Sequence, residues 1–220
     1  MISDNQLDWL KLALVPGLGP AQIQKLLTKF DGPGEVLSAP SSQLIDIGIK
    51  ASCSKAIQNP VQERLNNAIS WLDSSPTHHL LTIDDAAYPS LLKQIADPPA
   101  VLFIIGDPSI ISQLQLAVVG SRNPTSQGRE NAYQFAHFLA KTGLVITSGL
   151  ALGIDGAGHE GALDADGKTV AVIGNGPDRV YPARHRQLAH RIASNGAIVS
   201  EFPPGTKPLP GHFPRRNRLI

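Results

Sequence analysis

Three apolar runs in the second half of the chain each end in a short turn built from glycine, serine, arginine and asparagine. Leu116-Ala117-Val118-Val119 runs into Gly120-Ser121-Arg122, Leu144-Val145-Ile146-Thr147 into Ser148-Gly149, and Val170-Ala171-Val172-Ile173 into Gly174-Asn175-Gly176. In a parallel α/β sheet such turns gather at the carboxyl ends of the strands, where ligands bind. They supply backbone N–H groups, hydroxyls and an arginine, and hardly any acid–base pair. That chemistry holds phosphate.

The first turn, Gly120-Ser121-Arg122-Asn123-Pro124, precedes a helix that Pro124, Thr125 and Ser126 are suited to open. Free N–H groups at a helix start and the fork of Arg122 together suit one phosphate. The chain has no Walker loop, and Gly120 with Gly128 falls short of the dinucleotide GxGxxG fingerprint. In the second turn, Gly149 and Gly153 permit close backbone approach. Asp155 caps or braces the next helix, and His159 follows on the same face. Such a pair can do acid–base work, but no serine or cysteine nucleophile accompanies it, and bracing explains it equally well. In the third turn Asn175 either hydrogen-bonds a ligand or simply forms the turn.

Arg184 and Arg186 then fall at the start of a helix, where cations are disfavoured by the helix dipole. A bound polyanion or a solvated surface would account for them. His212-Phe213-Pro214-Arg215-Arg216-Asn217-Arg218 sets aromatic rings among arginines. This is the pattern for single-stranded nucleic acid, with a ring for a base and guanidiniums for phosphates; Phe213 as a core residue is the alternative.

These groups need a scaffold, and the pattern supplies one. Strands at 116–119, 144–148, 169–174 and 197–202 alternate with helices at about 124–142, 154–165 and 184–195, which predicts a parallel sheet with right-handed crossovers. The strands are almost wholly apolar, as when both faces are covered. Two earlier β runs lie at 79–83 and 101–105. Residues 4–73 read as short helices, with Lys55–Leu72 as the last of them, and Ser74-Ser75-Pro76-Thr77 reads as a boundary. Pro16-Gly17-Leu18-Gly19-Pro20 joins two of these helices. It is either a helix-hairpin-helix turn, whose N–H groups hold a DNA phosphate, or a plain helical hairpin. The expected organisation is a small all-α domain at 1–75 and an α/β domain at 76–220.

The formal charge of +1 gives no global pull on nucleic acid. From Arg179 onward, however, eight lysines and arginines face one acid, Glu201. The single cysteine, Cys53, excludes an internal disulfide and a cysteine-rich zinc cluster. No metal or cofactor is expected. No long apolar segment is present, so a soluble, cytoplasmic protein is expected. The chain stops at Leu219-Ile220, where an apolar helix begins, which reads as truncation.

Taken in order, Val118-Val119-Gly120-Ser121-Arg122, the 148–155 turn, His159-Glu160-Gly161-Ala162-Leu163, Ala171-Val172-Ile173-Gly174-Asn175-Gly176, Tyr181-Pro182, Ser200-Glu201-Phe202-Pro203 and Phe213-Pro214-Arg215-Arg216-Asn217-Arg218 resemble the DNA-processing protein A family (DprA, also called Smf). The resemblance covers roughly residues 79–220, and residues 1–75 look like the SAM-like helical domain of many members. Gly158 stands where alanine is usual. Members also usually continue past the arginine motif, often into a winged-helix-like domain absent here.

The resemblance implies an extended Rossmann-like fold, with helices on both faces of the sheet and no dinucleotide. It implies a non-enzymatic, sequence-independent single-stranded DNA-binding protein of natural transformation, which protects incoming DNA and loads the RecA recombinase. It carries DNA binding over to Gly120, Ser121, Arg122, Phe213, Arg216, Asn217 and Arg218, approximately to Arg184 and Arg186, and a homodimer interface to His212 through Leu219. Gly149, Gly153 and Asn175 join that DNA site from the turn argument. Two other classes remain open: a nucleotide hydrolase using Asp155, His159 or Glu160, and a protein-interaction scaffold without DNA binding.

Overall fold

The computed structural model describes residues 2–220. The chain divides into two compact units, one holding the chain up to Ser75 together with Leu80–Leu102, the other Pro76–His79 with Phe103–Ile220.

The first unit begins with six short helices: α1 (Asp4–Ala13), α2 (Pro20–Leu27), α3 (Pro33–Ser38), α4 (Ser41–Asp46), α5 (Ala51–Gln58) and α6 (Gln62–Asp73). Ser3 and Gln6 close a capping box on α1, satisfying two otherwise orphaned N–H donors. Apolar residues at helical spacing, among them Leu10, Leu26, Leu44 and Ile57, are fully buried. The run expected as one helix over 55–72 is two. Pro60 lacks an N–H and pushes Asn59 out of the helical region, to φ −128° and ψ 74°, so α5 ends there. Trp9 Nε1 donates to Asp84 Oδ2 at 2.7 Å and Gln6 Nε2 to the Leu80 carbonyl at 3.2 Å, which fastens the 80–85 segment to α1.

The strands are β1 (His78–Thr82), β2 (Val101–Gly106), β3 (Gln115–Ala117), β4 (Val145–Ser148), β5 (Thr169–Val172) and β6 (Ala197–Ser200), and the sheet order is β1-β2-β6-β5-β4-β3. The alternation expected over 116–202 is present: β3, β4, β5 and β6 run parallel, joined by α7 (Ser126–Lys141), α8 (Ile154–Asp164) and α9 (Arg186–Asn195). Beyond the parallel core, β2 runs antiparallel to β6, with Phe103 opposite Ser200. Every residue of β4, β5 and β6 is buried. The covering expected for all four strands fails at β3, an edge strand whose pairing ends at Ala117 and whose Leu116 and Ala117 are exposed. Val119 has left the sheet and lies 62 % exposed.

Helix α7 packs on α8, and α8 on α9, the layer that successive right-handed crossovers in one direction produce. One tie between this layer and the sheet is His159 of α8. It is fully buried, and its Nδ1 meets Thr169 Oγ1 of β5 at 2.7 Å. Burial, with lesser repulsion from His185 and Arg216, pushes its pKa from the ordinary 6.5 down to about 3.

Between those two values the unfolded chain takes up a proton that the folded chain refuses. Stability is therefore unaffected by this group above pH 6.5 and falls as the pH drops below it, by up to about 1.4 kcal/mol per unit. Urea denaturation at pH 7.5 and pH 5.0 is expected to show this loss. His159→Gln is expected to flatten the pH dependence over that interval while lowering stability at pH 7.5.

Candidate nucleic-acid interface

The three turns meet at the carboxyl ends of β3, β4 and β5. Gly153 sits at φ +85°, and a Cβ there would lie 2.3 Å from the Ser121 carbonyl oxygen. Only glycine allows the second turn to press so closely under the first. Ile154 N–H then donates to the Ser121 carbonyl at 3.1 Å, locking the two turns together. Asp155 braces the second turn from within: its Oδ2 accepts from Gly149 N–H at 3.1 Å and Ala151 N–H at 3.3 Å. This is the bracing role considered for it from the sequence. Asp155 and His159 make no hydrogen bond to each other, so they do not form an acid–base pair. Glu160 pairs with Arg129 at 3.1 Å.

After β6, Pro203–Gly211 lead to the last helix, α10 (His212–Asn217), which returns across the strand ends. Arg216 is its buried anchor, 4 % exposed. Nη1 donates to the Gly149 carbonyl at 2.6 Å and also to the Val172 carbonyl, while Nε donates to Asn217 Oδ1 at 3.1 Å. A Cβ on Gly149 would stand 2.5 Å from this guanidinium, so the glycine gives Arg216 its space. Burial lowers the Arg216 pKa, opposed by the nearby Asp155 carboxylate and reinforced by Arg122.

Arg122 stands above. It is exposed, no carboxylate pairs with it among the described residues, and its guanidinium carbon lies 5.8 Å from the centroid of the Phe213 ring. Phe213 packs over Gly174 of the third turn and against Tyr181, ring centroids 5.5 Å apart. Below Arg122 opens a cavity of about 350 Å³ lined by Gly120, Ala151, Asp155, Arg216 and Asn217 among others. The exposed mouth thus combines a guanidinium with two aromatic rings. The sequence marks Tyr181 only as part of a Tyr-Pro turn; its aromatic type next to Pro182 is the one signal for this placement.

The remaining candidates separate. Gly120, Ser121 and Asn217 are exposed at the mouth. Asn175 is 1 % exposed and donates its amide hydrogens to the Gly176 and Arg179 carbonyls at 2.9 and 2.8 Å, so in this structure it holds the third turn. Arg218 and Arg215 both pair with Glu201, whose side chain is 2 % exposed, at 2.8 and 3.2 Å. Arg184 is exposed at the 183–185 turn. Arg186 lines a different cavity, beside α9. His212 stacks on Phe202 at 4.3 Å, and Leu219 N–H donates to the Arg216 carbonyl. The basic bias after Arg179 therefore overstates free charge. Besides the Glu201 pairs, Arg179 pairs with Asp178 at 3.0 Å and Arg191 with Asp164 at 2.6 Å, acids that precede the biased stretch. Among the described residues no three histidine, cysteine or carboxylate side chains are grouped to hold a metal, and no helix is long and apolar enough to cross a membrane.

This ordered set of turns, with α10 folded over it, matches a known family, described as DNA recombination-mediator protein A, over residues 79–220. The chain belongs to that family. It is 38 % identical to protein Smf of Synechocystis sp. over all of this chain and 56 % of that protein. The X-ray structure of DNA processing protein A from Streptococcus pneumoniae superposes with a TM-score of 0.82 at 33 % identity, covering 99 % of this chain and 75 % of that one. DNA processing protein A from Helicobacter pylori, whose structure is described as showing a single-stranded DNA binding mode, gives a TM-score of 0.59 at 34 % identity over 64 % of each chain. The chain spans about half the length of the curated relatives it matches.

Arg216 and Arg122 occupy one site and do different work. Arg216→Met is expected to leave the Gly149 and Val172 carbonyls without their donor and to cost about 2–4 kcal/mol of stability. Arg122→Ala is expected to change stability by less than about 0.5 kcal/mol, as at an exposed position whose one contact is with an aromatic face. Thermal unfolding of the two variants beside the parent chain checks the contrast.

Proposed function

We propose that this chain binds single-stranded DNA without regard to sequence, at the mouth formed by the first turn, Arg122, Phe213 and Tyr181. The observation that carries the reading is the exposed Arg122 guanidinium lying over the Phe213 ring, with no acid paired to it among the described residues. A guanidinium forks onto a phosphate and a ring stacks on any base, so the pair grips a strand while reading nothing of its sequence. Membership of a recombination-mediator family and likeness to a protein with a described single-stranded DNA binding mode support the same reading.

In this reading Ser121 and the exposed backbone of the first turn add hydrogen bonds to phosphate oxygens, and Arg184 extends the electropositive track. Arg216, Arg218 and Asn175 act from beneath by holding the turns in place. The role is one of binding: Asp155 is occupied by backbone N–H groups and His159 is buried against Thr169. The protein protects incoming DNA during natural transformation and passes it to the RecA recombinase, working as a homodimer through the His212–Leu219 segment.

Fluorescence anisotropy of labelled oligo-dT tests the binding reading. Affinity is expected to fall steeply between low and moderate salt, because phosphate contacts release counterions. Arg122→Ala is expected to weaken binding several-fold, and Phe213→Ala to cost about 1–3 kcal/mol, the worth of a stacked base. Unchanged affinity in both variants would remove the site.

A further inference from the structure

A second cavity, of about 650 Å³, lies beside α9, away from the Arg122 mouth. Its floor is aliphatic: Ile105 of β2, Ile198 of β6, and Ile173 and Leu150 from the strand ends. Its rim is cationic. Arg186 and His190 are one helical turn apart on α9, so both project over the same face. Both are exposed, and neither side chain has a hydrogen bond or ion pair among the described residues. Arg179 is also at the rim, with Asp178, the acid that pairs with it.

That combination has a size, a sign and a shape. Ligand pockets of about 300–1,000 Å³ are lined mostly by apolar side chains, with a few polar groups that fix orientation. Here the apolar surface would cover an uncharged body, and the Arg186 guanidinium would meet a single anionic group by a charge-assisted hydrogen bond. Arg186 also opens α9, where the helix dipole disfavours a cation. An anion seated at this rim offsets that cost.

We infer that this cavity is a binding site for a small amphiphilic anion, an apolar body of about mononucleotide size carrying one phosphate or carboxylate, with Arg186 as its anion contact and the Ile105, Ile173 and Ile198 surface as its floor. The inference is independent of the strand-binding reading, because the two cavities share no lining residue. The same chemistry is found in a free nucleotide and in a fatty-acid carboxylate.

The test is a fluorescence titration of the full chain with 8-anilinonaphthalene-1-sulfonate, an aromatic anion of the required kind, followed by competition. One molecule is expected to bind per chain. Arg186→Glu is expected to weaken it about tenfold or more, the scale of losing a charge-assisted bond, and Arg122→Ala to leave it unchanged. Ala193→Phe, which fills the cavity from α9, is expected to abolish binding; its thermal midpoint is measured alongside, and Arg186→Glu, at an exposed position, carries the test if that variant unfolds. Displacement by dTMP but not by decanoate assigns a nucleotide; the reverse assigns a fatty-acid-type carboxylate. Inorganic phosphate and uncharged thymidine are expected to displace nothing. Binding unaffected by Arg186→Glu, binding lost equally in Arg122→Ala, failure of the probe to bind, or failure of both anionic competitors would each overturn the inference.

Discussion

The buried guanidinium of Arg216 is the interaction on which the ligand-facing end of this fold depends. It ties α10, which carries it, to the ends of two neighbouring strands, β4 through the Gly149 carbonyl and β5 through the Val172 carbonyl. A buried charge is costly unless its hydrogen bonds are met. Here the carbonyls meet them, and Asp155 lies close enough to favour the charged form. Removing Arg216 would leave α10 held by the Glu201 pairs and its ring contacts, and would loosen Phe213, whose ring rests on the third turn. The exposed Arg122 can wait for a ligand because another arginine does the holding.

The same economy runs through the site. Glu201 binds two arginines of the last segment, Asp155 serves two backbone amides, and Asn175 serves two carbonyls. Most polar groups here satisfy the protein itself, which leaves few exposed groups to define what a ligand meets. Those few come from separate parts of the chain: Arg122 from the first turn, Tyr181 from the stretch after the third, and Phe213 from α10.

The alternation of strand and helix was legible because period and punctuation are local properties. Gly120, Gly149 and Gly174 follow apolar runs, and Thr125 accepts from Gly128 N–H at the start of α7 as its type suggests. Boundaries were less legible. Val118 and Val119 continue an apolar run, yet the strand ends at Ala117: Val118 N–H still reaches the Thr147 carbonyl at 2.9 Å, and Val119 turns out to solvent. The roles of individual arginines were least legible. Arg122, Arg186, Arg216 and Arg218 are the same residue type, but one faces solvent, one rims a separate cavity, one is a buried strut and one is paired with a carboxylate 17 positions away. Such differences arise from tertiary placement, and neighbouring sequence does not encode them. The family pattern located the cluster; only the fold sorted its members.

The interlock at Gly153 sets what recognition costs. Because the Ser121 carbonyl is already bonded to Ile154 N–H and pressed against Gly153, the first two turns are held in place before anything binds. A loop ordered in advance surrenders no backbone entropy on binding. What remains to be ordered is the Arg122 side chain, already leaning on an aromatic face. Nearly all of the flexibility that must be lost would then be the ligand's, so a surface ordered in this way discriminates among molecules by how readily they bend to it.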